Sequence, residues 1–202
     1  MSFANDEYTD PPVLAPGARA LVEACKQLLM SGGMEALRVE KVSAAAGQNP
    51  AMIRYYFGGK EGLVAAAVDS FLHEAVVDFA TRAEALPEGE PRLGALVDGN
   101  LDLVRTPGFL SIFEVLPSAL RNEGLRERLA RLYVWYRDVN AECLDATTTS
   151  ADSARLSVLA TLIVALIDGL AVQQALDPDA IDLPALGAVV KEMIGAVLGP
   201  SA

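Results

Sequence analysis

Between Leu37 and Leu63 the chain reads LRVEKVSAAAGQNPAMIRYYFGGKEGL. Its polar and basic side chains recur at spacings suited to reading nucleic acid. Arg54 carries a planar fork of donors that can bond two acceptors of a guanine edge or, with equal claim, a backbone phosphate, where most protein–DNA hydrogen bonds go. Gln48 and Asn49 offer amides, and Ala51 and Met52 offer apolar contact for a thymine methyl. Tyr55 or Tyr56 can give a hydroxyl to phosphate, although Tyr56, next to Phe57, is the better candidate for core. Arg38, Lys41 and Lys60 add positive charge, and Lys60 at a helix start would act together with the free backbone N–H groups there. The chemistry on offer is recognition rather than bond-making.

Short elements must hold those side chains in place. Val39, Val42 and Ala46 make an apolar face at helical spacing, and Gly47 ends that helix. The polar pair Gln48-Asn49 leads to Pro50, which suits the first position of a new helix because its missing N–H has no partner there. Asn49 is a fitting N-cap, its side-chain oxygen accepting from a backbone N–H of the first turn. Ile53 is a core residue. Two short helices joined by a glycine turn predict a helix-turn-helix, whose second helix can enter the major groove of DNA.

The same residues carry a family resemblance. Val39-x-x-Val42-x-x-x-Ala46-Gly47, then Ile53-x-x-Tyr56-Phe57-x-x-Lys60-Glu61-x-Leu63, resembles the N-terminal signature of the TetR family of transcriptional regulators. Arg38, Gln48 and Arg54 depart from the usual residues of that pattern. The resemblance implies a three-helix DNA-binding domain over residues 16–63, an N-terminal arm over 1–15 and an effector-binding and dimerisation domain over 64–202.

Composition agrees with an all-α chain of about nine helices. Ala and Leu dominate, Gly and Pro fall mostly at breaks, and alternating β-branched runs are scarce. The net charge of −11 is unevenly spread. From Pro16 to Leu63 six basic residues (Arg19, Lys26, Arg38, Lys41, Arg54, Lys60) face four acidic ones (Glu23, Glu35, Glu40, Glu61). Such asymmetry suits a molecule with one end toward phosphates. No charge-free stretch reaches the length of a membrane span, and the acidic start MSFANDEYTD lacks the basic and apolar regions of a signal peptide, so a cytoplasmic location is expected. Cys25 and Cys143 read as reduced core thiols.

Downstream, the pattern predicts helices over about 60–85, 92–105, 109–121, 125–146, 152–176 and 183–198, with Leu86–Pro91 as the clearest linker. The run Leu166-Ile-Asp-Gly-Leu170 with Leu176-Asp-Pro178 resembles the penultimate helix of the choline-responsive betaine regulators within the TetR family. Its last two helices usually pair as a four-helix bundle, which implies a homodimer here through Leu162, Leu166, Gly169, Val189 and Ile194. The same residues could equally serve the internal core. An effector pocket is expected among helices 4 to 8, with walls from Phe109, Ile112, Phe113, Leu116, Tyr133, Trp135 and Tyr136 and polar anchors from Glu114, Asn140 and Asp168. Taken singly, each aromatic at helical spacing is more often plain core.

Catalytic chemistry finds no footing. His73 is the one histidine, and HExxH, CxxC, GxSxG, phosphate-loop and dinucleotide patterns are absent from the sequence. Neither a cofactor nor a metal is expected, and the expected partners are double-stranded DNA, a second copy of the chain and a small-molecule effector, with no membrane. A ligand-responsive repressor released from a palindromic operator is the leading expectation. The alternative is a helical small-molecule- or partner-binding protein whose helix-turn-helix no longer reads sequence.

Overall fold

The structure is a computed structural model that describes residues 14–147 and 152–198. Most of the expected N-terminal arm and of the Thr147–Ser150 turn therefore lies outside the described residues. Within them the chain forms nine α-helices and no strand: α1 Pro16–Ala36, α2 Val39–Ala45, α3 Ala51–Phe57, α4 Lys60–Glu84, α5 Glu90–Leu103, α6 Pro107–Ala119, α7 Glu123–Asp145, α8 Ser153–Leu176 and α9 Leu183–Leu198. Regular geometry in α1 breaks at the adjacent glycines Gly32 and Gly33, poor helix formers, and a short turn follows to Ala36. Asp152 caps α8, its carboxylate accepting from the Ala154 N–H.

Packing divides the described residues into two compact units. The division expected after Leu63 concerns roles, whereas packing runs the first unit on to residue 74 and adds residues 106–132. That unit holds α1, α2, α3, the first part of α4, α6 and the first part of α7. Its core is built from Leu21, Cys25 and Leu29 of α1, Val42 of α2, Ile53 of α3, Leu63, Val64 and Leu72 of α4, and Phe109 and Ile112 of α6, all buried. Each large aliphatic or aromatic side chain removed from water in this way contributes about 1.5–3 kcal/mol. Polar ties add direction to that burial. Lys26 of α1 places its ammonium 2.6 Å from both carboxylate oxygens of Glu74 on α4. Asp69 of α4, itself buried, is paired with Arg128 of α7.

The second unit comprises residues 75–105, 133–147 and 152–198. Phe79 of α4 fits against Gly99 of α5, where an added Cβ would lie only 2.5 Å from the Phe79 side chain. Trp135, Tyr136 and Val139 of α7 join Ile163, Ile167 and Leu170 of α8 in the core. Between α4 and α5, Arg92 donates to the carbonyls of Leu86 (2.9 Å) and Glu84 (3.3 Å), closing the C-terminal end of α4 where carbonyls lack helical partners.

Helix α8 is long and apolar enough to cross a membrane by length and composition alone. Asp168 interrupts it, and less than half of its most apolar stretch is buried within the chain. Its apolar residues thus fall on two faces, one inside the core and one outside.

Candidate nucleic-acid interface

The turn between α2 and α3 is fixed by backbone hydrogen bonds. The N–H of Gly47 donates to Ala44 O (3.2 Å) and that of Gln48 to Ser43 O (2.9 Å), the paired pattern that closes a helix through a left-handed residue. Gly47 supplies that residue with φ +63°, and Gly58, also left-handed with φ +73°, ends α3 through a single bond from its N–H to Arg54 O (3.0 Å). A side chain at either position would be strained. The Asn49 carboxamide oxygen accepts from the Ala51 N–H at 2.9 Å. Asn49 therefore caps α3 as its position predicts, and Pro50 already has helical torsions one residue ahead of the formal start. A cap of this kind contributes about 1 kcal/mol.

With its ends secured, α3 buries Ile53 and turns Ala51, Arg54 and Tyr55 outward, Tyr55 being 77% exposed. Arg38, Lys41 and Arg54 are exposed and form no ion pair among the described residues. Their charge is thus left for an outside partner. Met52 and Tyr56 are half-buried, and the Tyr56 ring meets Tyr55 and Phe57 edge-on. Lys60 opens α4 half-buried, close to Cys25 and to Glu114 of α6. Burial holds the Glu114 carboxyl above its usual range, opposed by Lys60 and reinforced by Glu35. The start of α4 also lies so near the end of α3 that a Cβ at Gly62 would sit 1.9 Å from Phe57 O.

Gln48 is placed differently from the outward-facing residues. It is half-buried, with its amide against Gly17 in the first turn of α1. Sequence reasoning groups it with the base readers because it precedes Asn49 in a polar turn. Its side-chain direction depends on where α1 lies, and no local spacing reports that.

The expected effector residues separate. Phe109, Ile112, Phe113, Leu116 and Glu114 belong to α6 in the first unit, with Phe109 and Phe113 packed edge-to-face and Leu116 exposed. Tyr133, Trp135, Tyr136, Asn140 and Asp168 belong to the second unit. There the Tyr133 hydroxyl donates to Asp168 Oδ2 at 2.9 Å, while Asp168 Oδ1 is buried without a hydrogen-bond partner. Burial pushes the Asp168 carboxyl up to about 6, against the opposing pull of the Tyr133 hydrogen bond. Tyr136 donates to Asn100 Oδ1, and the Asn100 amide donates to Leu96 O and to Asn140 Oδ1. Asn140 in turn donates to Tyr136 O. This closed network makes Asn140 a structural residue, already bonded on both its oxygen and its nitrogen. A cleft of about 630 Å³ in the same unit is lined by other residues, among them Glu90, Leu93, Lys191 and Glu192.

Of the residues expected at a dimer contact, Leu162, Leu166, Gly169 and Val189 lie on the outer surface of α8 and α9. Ile194 does not: it is 5% exposed and packs inside its own chain. The helix is apolar around much of its circumference, so sequence periodicity does not separate its inner from its outer face.

A two-helix reader with an unpartnered basic outer face, on an all-helical scaffold, defines a helix-turn-helix regulator. Residues 21–67 match the model of bacterial regulatory proteins of the tetR family, and residues 87–199 match that of the BetI-type transcriptional repressor, C-terminal. The chain belongs to the TetR family, with a BetI-type C-terminal part. It is similar to the HTH-type transcriptional regulator BetI of Brucella canis, 27% identical over 91% of this chain and 93% of that one. It is likewise similar to BetI 2 of Chromohalobacter salexigens, 27% identical over 80% of this chain and 79% of that one. Among solved structures, a TetR transcription regulator from Haloarcula marismortui superposes with a TM-score of 0.70 at 21% identity, covering 92% of this chain and all of that one. The fatty acid degradation regulator FadR from Bacillus halodurans gives 0.64 at 18% identity, covering 92% and 96%. The protein is a ligand-responsive DNA-binding transcriptional regulator.

Proposed function

We propose that the protein is a repressor that binds a palindromic operator as a homodimer and leaves it when a small molecule binds the C-terminal part. The observation that carries this reading is the apolar outer row on α8. Val158, Leu162 and Leu166 stand one helical turn apart and are exposed, as are Val189 and Met193 on α9. A contiguous apolar row at the surface marks an interface, and two-fold pairing suits a reader of two-fold DNA sites. The outer face of α3 presents Ala51, Arg54 and Tyr55, and α3 carries no acidic side chain to repel phosphate.

The effector is a small molecule carrying a hydrogen-bond donor. Support comes from Asp168, whose second carboxylate oxygen is buried beside Tyr133 with no hydrogen-bond partner. Solved regulators of this fold include one in complex with stearoyl-CoA and a multidrug binding protein complexed with imidazole. The protein acts in the cytoplasm, where its operator lies. For release, the effector must prefer a dimer whose recognition helices no longer match one helical turn of DNA, about 34–36 Å. A tenfold loss of occupancy needs a coupling of only about 1.4 kcal/mol.

Selection of bound fragments from a genomic DNA pool, followed by an effector screen on the selected site, tests the reading. A palindrome is expected, together with an effector that binds the free dimer more tightly than the DNA-bound one. Because coupling is reciprocal, equal affinity for the two states would sink the release mechanism.

A further inference from the structure

The turn ahead of α3 and the last turn of α3 both come close to one residue of α1. A Cβ built on Gly17 would lie 2.9 Å from Gln48 Oε1, 3.4 Å from Gln48 Cδ and 3.4 Å from the Tyr56 hydroxyl. Gln48 stands just ahead of α3 and Tyr56 in its last turn, so the two bracket the exposed pair Arg54 and Tyr55. Gln48 is held from two sides: its backbone N–H is bonded to Ser43 O, and its amide rests on α1. Glycine is a poor helix former, yet it occupies the first turn of α1 here. The space that it leaves is taken by these two side chains.

We infer that Gly17 is a positioning residue for DNA reading: by leaving room for Gln48 and Tyr56 against α1, it sets the pose in which α3 presents Arg54 and Tyr55. The inference rests on the DNA-binding reading above. Gly17 and Gln48 then act on affinity without either touching a base. The obstacle that an alanine would meet is the far end of a flexible side chain, so the amide can swing out without a backbone clash. Such a change moves DNA binding and leaves folding intact. A merely structural glycine would show the reverse.

The test is a double-mutant cycle on the DNA site selected by the wild-type protein, with thermal melting of every variant. Gly17→Ala is expected to melt no lower than wild type and to bind the site roughly tenfold more weakly, within the range that contacting residues show in such cycles. In a Gln48→Ala background, the same Gly17→Ala change is expected to have no further effect, because no amide remains to be displaced. Gln48→Asn, one methylene shorter, is expected to remove the sensitivity to Gly17→Ala as well. Full additivity of Gly17→Ala and Gln48→Ala overturns the inference, as does unchanged affinity in Gly17→Ala. A wild-type protein that selects no sequence overturns the DNA reading and this inference together.

Discussion

Asp69 and Arg128 form an ion pair inside the unit that carries the helix-turn-helix, tying α4 to α7. One carboxylate oxygen receives the guanidinium Nε–H, while the other is buried with no hydrogen-bond partner. Burial outweighs Arg128 and Arg131 and lifts the Asp69 carboxyl to about 6. Arg128→Met would strand this carboxylate. Breaking a buried pair costs about 3–5 kcal/mol, and the partial exposure of Arg128 brings the expected loss nearer to about 2 kcal/mol at pH 7. Urea melts at pH 7 and pH 5 check this. The loss shrinks at pH 5, where Asp69 is already protonated.

Asp168 gives a second pH signature. Its folded pKa of about 6 lies above the ordinary 3.8, so the folded state binds more protons than the unfolded one between those values. This group's contribution to stability therefore falls as pH rises from about 4 to about 6 and is level above. Asp168→Asn removes that dependence. Relative to wild type, the variant is expected to gain stability across that window, read as a difference in melting temperature at successive pH values. A constant difference from pH 4 to pH 7 would refute it.

Arg54 separates base reading from backbone contact. If it grips a guanine edge, Arg54→Ala costs about 1–3 kcal/mol and relaxes preference at one position of each half-site. If it meets phosphate, binding weakens evenly across sequences and the salt slope falls by about one. Sequence selection repeated at two salt concentrations distinguishes these outcomes.

Leu162 and Ile194 should behave in opposite ways. Leu162 is 60% exposed, so Leu162→Arg is expected to yield folded monomers in sedimentation equilibrium at a concentration where the wild type is dimeric. Ile194 is inside the chain, so a buried unpaired charge there lowers stability itself. Ile194→Arg is expected to melt well below wild type or not to fold. A dimeric Leu162→Arg protein would count against this face as the interface.

Much of this architecture is legible because it is written in local chemistry. Asn49 and Pro50 announce the start of α3, and Gly47 and Gly58 mark turns that only a left-handed residue completes well. Apart from α1, which continues to Ala36 beyond its break at Gly32 and Gly33, the helices begin and end within about two residues of the positions that capping and periodicity indicate. What local spacing cannot convey is which way a side chain points when apolar residues occupy both the inner and the outer face of a helix, as with Ile194 and Met193 on α9. It also gives no account of long-range seats: Gln48 on Gly17 is set by the path of α1. Asp69 did leave a signal, a lone carboxylate ending the run Leu63–Val68. Its partner lies 59 residues away.

Cys25 and Cys143 fall in different units, one each, and both are buried. Burial pushes each thiol up to about 12, so almost no thiolate exists at neutral pH while the chain stays closed. Each sulfur can therefore react with a thiol reagent only when its own surroundings open. The wild-type protein thus carries two internal clocks, and the separate labelling rates of Cys25 and Cys143, with and without DNA or effector, report which unit loosens first.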